Sequence, residues 1–245
     1  MQMFRRLFIA AASAGLLSGL FVTLIHQVTT VPIILHAEVF ENAADQHDEA
    51  APGEAHADAH DHDAADHDHG EGWAPQDGFE RTAFTVLADL LTGVGFALLL
   101  VAAFAVTGIS VDWRSGFYWG LAGFAIFILA PGLGLPPEVP GTEAADLTAR
   151  QVWWIGTAVA TAAGLGLLFH WKPKNPLLYL LAVGLIVLPH AIGAPQPDAY
   201  HSAAPESLAH RFIVATTIAG FLFWAVLGSL SGYFYGRLVK GEGAA

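Results

Sequence analysis

The stretch TAFTVLADLLTGVGFALLLVAAFAVTG, from Thr82 to Gly108, holds one ionisable side chain, Asp89, among 27 residues. A bilayer core of about 30 Å needs about 20 apolar residues at a helical rise of about 1.5 Å each, so this stretch alone can cross a membrane. Five further segments meet or nearly meet that length: Leu7–Leu35, Gly116–Leu135, Val152–Phe169, Leu177–Ala194 and Phe212–Phe234. Backbone polar groups in lipid need internal partners, and the alternating polarity of barrel strands is absent, so these segments are predicted to be helices. The expected fold is all-α: a polytopic transmembrane bundle of about six helices, making one integral-membrane domain of residues 1–245.

Composition points the same way. Hydrophobic residues make up 54% of the chain and charged ones 13%, against about 25% in ordinary soluble domains. The absence of cysteine excludes disulfides, thiolate metal sites and cysteine nucleophiles. A net charge of -12 argues against nucleic acid as a partner, since phosphate binding needs a basic surface. No Walker A loop, GxSxG elbow or HExxH helix occurs. Neither ATP hydrolysis nor a recognisable hydrolase site is therefore encoded, and neither an enzyme nor a resident cofactor is expected.

Arg5 and Arg6 precede a run of small apolar residues that imitates a signal peptide. The run continues past Gly19 and Thr23 to Leu35, whereas a signal's apolar region spans only about 7–15 residues, so a retained first helix with a kink at Pro32 is expected. Seven of the ten basic residues (Arg5, Arg6, Arg114, Lys172, Lys174, Arg237 and Lys240) share one side if the N-terminus is cytoplasmic. By the positive-inside rule both termini are then in the cytoplasm, and the chain is a multi-pass protein of the cytoplasmic membrane.

Between His36 and Gly78 the composition turns to Ala, Asp, Glu, His, Gly and Pro, and 14 of the 22 acids fall from Glu38 to Glu80. Such a loop cannot bury enough apolar surface to offset its ordering entropy; it is predicted to be extracytoplasmic and disordered when unliganded. Its core, HADAHDHDAADHDHG, interleaves His56, His60, His62, His67 and His69 with five aspartates. Neutral imidazole suits Co, Ni, Cu and Zn, and carboxylates add oxygen ligands and a field that concentrates divalent cations. The tract is read as metal-capturing, with a solvated acidic linker as the plainer alternative.

Asp89 is the one acid within a spanning segment, and Thr82, Thr85 and Thr92 share its helical face. An ionisable group at that depth is a functional candidate; the alternative is an interior carboxyl hydrogen-bonded to a neighbouring helix. His26 and His36, followed by Glu38 and Glu41, are expected to meet at the outer mouth, where incoming ions would lose water. In LPHAIGAPQP, Leu188 to Pro197, Pro189 and Gly193 should free carbonyls beside His190, a way to build a cation site, or simply stop the helix. Gly228, Gly232 and Gly236, with Gly116 and Gly120 at the same four-residue spacing, are expected to mark close helix contacts.

These motifs resemble the CbtA family, the probable cobalt transporter subunit of bacteria and archaea. The likeness lies in MFRRLFIAAASAGLLSGL, VPIILHAEVFE, RTAFTVLADLLTGVGFALLLVAAF, GLPPEVPGTEAADLTARQVWW, LPHAIGAPQP and FWAVLGSLSGYFYGRL. The resemblance implies a bundle of five or six helices that takes up cobalt and works with a small single-helix partner, CbtB, bearing a histidine-rich terminus. The matching polar residues are Glu38, Glu138 and His190. Sequence thus leads to a permease subunit for a divalent transition metal, most readily cobalt, drawn across the lipid bilayer by the membrane potential. The rival is a membrane-anchored metal-binding accessory or buffer that feeds another transporter.

Overall fold

The structure, a computed structural model, describes residues 1–49, 75–76, 78–171, 175–197, 199 and 201–240. Its helices are α1 Gln2–Val28, α2 Thr30–Glu49, α3 Phe79–Thr107, α4 Trp113–Gly132, α5 Leu147–Phe169, α6 Pro176–Ile192 and α7 Glu206–Val239. Five of them, α1, α3, α4, α5 and α7, are long and apolar enough to cross a membrane, and α6 is a shorter apolar helix of 17 residues. Among the described residues there is no strand, only an isolated antiparallel bridge between Thr142 and Ser202.

The first apolar segment differs from its sequence reading. Pro32 has no N–H to offer the Val28 carbonyl, so the helical ladder cannot run through it unbroken. α1 ends at Val28, the Thr29 amide reaches back to the Ile25 and His26 carbonyls, and α2 starts at Thr30. The kink expected at Pro32 is thus a break between two helices. The loop expected from His36 begins instead as helix, which continues to Glu49. Hydropathy reports depth in lipid rather than helicity, and the Ala- and Glu-containing stretch after His36 is a competent helix former. What holds α2 is burial of Ile33 and Ala37, with Ile34 and Phe40 beside them, against Val139, Ala204, Leu208 and Phe212.

Helix starts likewise fall outside the apolar windows, because caps set them. The Asp146 carboxylate accepts the Ala149 amide at 2.8 Å ahead of α5, and the Asn175 side chain accepts the Leu177 amide at 2.9 Å ahead of α6. At α4, Asp112 and Ser115 form a reciprocal capping box. The Ser115 hydroxyl and amide hold the Asp112 carboxyl below its ordinary range.

α1 packs on α3 and α7, and α4 lies along α7. α5 and α6 form an antiparallel pair that meets the other helices mainly at the far end of α4. Lipid offers no hydrophobic drive to bring helices together, so contact between backbones supplies much of the attraction. The two glycine rows read from sequence do face one another: a Cβ at Gly116 would strike the Gly228 carbonyl, one at Gly120 the Trp224 carbonyl, and one at Gly232 the Asp112 carbonyl. α1 and α3 touch just as closely, with Gly15 against Gly93 and Val94, and Gly19 against the backbone of Asp89 and Leu90. In α4, Pro131 cannot donate to the Phe127 carbonyl, and residues 125–129 wind a wider, π-type turn in which the Ala130 amide reaches the Ala125 carbonyl. Phe127 on that turn stacks on Trp224 with ring centroids 5.5 Å apart.

Valine at Gly228 must push against the Gly120 backbone, a misfit of the kind that costs roughly 1–3 kcal/mol. Thermal unfolding in detergent should show a clearly lowered midpoint for Gly228→Val. Gly95→Ala, which points into open space, should leave the midpoint unchanged or slightly raised.

Candidate functional site

The close approach of α1 to α3 decides where polar side chains meet. One turn beyond Gly19 on α1 comes Thr23, and opposite it on α3 stands Asp89, ten residues and thus about 15 Å along the helix from Phe79. The Thr23 hydroxyl donates to Asp89 Oδ2 at 2.9 Å while also lying 3.0 Å from the Gly19 carbonyl. His26, one turn further, brings Nδ1 to 3.2 Å from the same Oδ2. The carboxylate is only 14% exposed and the imidazole 28%, so the pair is part-buried between helices. With the carboxylate ionised and the imidazole neutral, Nδ1 carries the ring proton and donates it, and Nε2 keeps its lone pair. A carboxylate that orients an imidazole in this way is the usual support of a metal-ligating histidine.

The mouth cluster expected from His26, His36, Glu38 and Glu41 is not assembled. The break at Thr29 separates His26 from the others and leaves it with Asp89. His36 is exposed and tilts its ring against Phe40 at 5.4 Å. Glu38 accepts from Arg81 Nη1 at 2.7 Å, tying α2 to the first turn of α3. Glu41 lies alongside Gly141 in the loop after α4.

Glu138 is paired as well, accepting from Arg150 Nη2 at 2.9 Å and fastening the loop after α4 to the start of α5. The chain does not break at Pro189: α6 passes through it and stops two residues after His190, where Gly193 adopts φ 91°, in keeping with the plainer helix-stop alternative. The Pro189 carbonyl accepts the Gly193 amide at 3.1 Å and Trp153 Nε1 at 3.2 Å, so it is not open to an ion. His190 is half-buried and meets the Trp153 ring edge-on at 5.9 Å. Among the described residues no group of three or more His, Asp and Glu side chains converges as a metal cage. His56, His60, His62, His67 and His69 lie outside the described residues.

Sequence reading did not single out Thr23, Trp153 or the Arg81 and Arg150 pairings. Thr23 stands three residues before His26, one helical turn away, which is the spacing that could have flagged it. Arg81 and Arg150 are two of the three bases on the acid-rich side, and a base there invites a carboxylate partner.

Selective 15N-histidine spectra of the purified chain should show an Nδ1-protonated imidazole for His26, assigned by its loss in His26→Ala. That resonance should disappear in Asp89→Ala, and Thr23→Val should leave it in place.

Neither a curated protein nor a solved structure matches the chain. The family model described as "Probable cobalt transporter subunit (CbtA)" matches residues 4–236, nearly the whole length, and it covers both helices of the Asp89–His26 pair. The chain belongs to the CbtA family.

Proposed function

We propose that this chain is a membrane permease subunit for uptake of a divalent transition metal, cobalt foremost, and that Asp89 and His26 form its intramembrane ion-handling pair. The observation that carries the reading is a carboxylate on a spanning helix within hydrogen-bonding distance of one imidazole nitrogen, an arrangement that in the neutral ring leaves the second nitrogen its lone pair. Ionisable groups at such depth cost several kcal/mol in lipid, a cost that function offsets. The pair offers imidazole nitrogen and carboxylate oxygen and no thiolate, a donor chemistry that suits Co, Ni or Zn better than Cu(I). Family membership supports cobalt among these.

The loop end of the bundle, where α2, α3, α5 and α7 meet, is taken to face outward. Arg5, Arg6, Arg114 and Arg237 gather at the opposite end, in keeping with a cytoplasmic location for it. The His/Asp tract would collect hydrated ions outside. Glu38 would receive them at the mouth, and Glu138 and His190, held by Arg150 and Trp153, would form the other flank of that mouth. A small CbtB-like subunit is a partner consistent with the family. Inward movement of a dication gains about 4.6 kcal/mol at 100 mV, twice the single-charge value, so potential alone can drive accumulation by about three orders of magnitude.

The test is uptake of radioactive cobalt into sealed proteoliposomes containing only this chain, with an imposed inside-negative potential. Wild-type protein should accumulate cobalt, and Asp89→Asn and His26→Gln should each reduce the initial rate at least tenfold. Deletion of residues 47–69 should raise the cobalt concentration needed for half-maximal rate without abolishing transport. Cobalt bound but never accumulated, with binding lost on that deletion and indifferent to Asp89, would mark the chain as a metal-binding accessory instead.

A further inference from the structure

A cleft of about 290 Å³ lies between the α1–α2 junction and the first turns of α3. Gln27, Val31 and Leu35 line one wall, and Arg81, Thr82 and Thr85 the other. Arg81 on its wall bonds to Glu38. Along α3 the order is Arg81, Thr85, Asp89, four residues apart on one face, with Asp89 one helical turn beyond the last lining residue.

This arrangement sets an electrostatic problem for a cation. The side chains of Arg81 and Glu38 are 30% and 25% exposed, so the pair is part-screened by protein and part-open to water. A cation aimed at Asp89 meets the guanidinium charge before it meets the carboxylate below. Passage requires Glu38 to exchange partners: the incoming ion takes the carboxylate, and Arg81 releases it. Coulomb attraction to Glu38 doubles with the charge of the ion at a given distance. At the same distance a dication therefore competes with the guanidinium for that carboxylate better than sodium or potassium does.

We propose that Arg81 is the selectivity residue of this chain, a displaceable counter-ion on Glu38 that closes the cleft to monovalent cations and yields to divalent ones. The proposal rests on the uptake role given above and adds to it the element that sets ion valence. It separates Arg81 from a mere tether between α2 and α3, because a tether and a displaceable counter-ion predict opposite signs. Removing a tether harms transport whichever partner is lost. Removing a counter-ion that competes with the substrate helps binding, whereas removing Glu38 harms it.

The experiment compares wild-type, Arg81→Gln, Arg81→Lys and Glu38→Gln in the cobalt proteoliposome assay, with and without excess sodium. Freeing Glu38 raises the binding-competent fraction, so Arg81→Gln should lower the apparent KM for cobalt by about tenfold and make uptake sensitive to sodium. Glu38→Gln should raise KM. Arg81→Lys keeps the charge but loses the rigid fork; it should lower KM by a smaller factor, and it stands in where the glutamine variant does not fold. An unchanged or raised KM in the Arg81 variants overturns the proposal.

A second readout does not need transport. The chain has no cysteine, so Thr85→Cys introduces a single thiol on the cleft wall. The rate of its reaction with a cationic thiol reagent, taken relative to a neutral one, should be at least severalfold higher when combined with Arg81→Gln, and an unchanged ratio overturns the proposal. If wild-type liposomes accumulate no cobalt, the uptake role fails while this comparison still decides whether Arg81 closes the cleft.

Discussion

Backbone contact between α1 and α3 at Gly15, Gly19 and Gly93 is the constraint from which the polar interior follows. A Cβ at Gly19 would stand 2.8 Å from the Asp89 carbonyl, so the two helices cannot be this close with any larger residue there. That closeness brings short side chains within hydrogen-bonding reach across the interface, and Thr23 is short. With a wider separation Asp89 would need water or another long side chain to satisfy it. In lipid, where an unpaired carboxylate is costly, the helix packing and the hydrogen-bonded pair are therefore one design.

The break at Thr29 adds to this. A continuous first helix would carry His26 and His36 along a single rod toward the same mouth. Pro32 instead ends the ladder after Val28, and the chain restarts as α2, whose apolar side settles on the start of α7. The consequence is a division of labour between the histidines, one facing the interior carboxylate and one exposed against Phe40. Arg81, at the beginning of α3, then ties the displaced α2 back to the bundle through Glu38.

Much of the architecture was legible in the sequence, because depth in lipid is a one-dimensional property. Apolar length located the spanning segments, and the four-residue glycine spacing found the α4–α7 contact from both sides. Asp89 stood out for the same reason, as a charge where none is cheap. The pairings were not legible. Spacing shows which residues share a face of one helix, but it does not show which helix that face meets, so His26 was grouped with its sequence neighbours His36 and Glu38 rather than with Asp89. The carboxylates of Glu38 and Glu138 were legible as polar positions, but their pairing with Arg81 and Arg150 was not. The fate of Pro189 was hidden likewise, since the group that occupies its carbonyl, the Trp153 indole, comes from another helix.

The shortness of α6 bears on the membrane itself. Seventeen residues rise about 25 Å, several ångströms less than an average hydrocarbon core, so if α6 crosses, the mismatch on the α5–α6 flank has to be met by thinner lipid, by flanking residues reaching outward or by a neighbouring protein surface. The rest of the bundle carries spans of 20 residues or more and imposes no such demand. Wherever lipid does thin against such a flank, the transmembrane voltage falls over a shorter distance and the local electric field is steeper than across the surrounding bilayer.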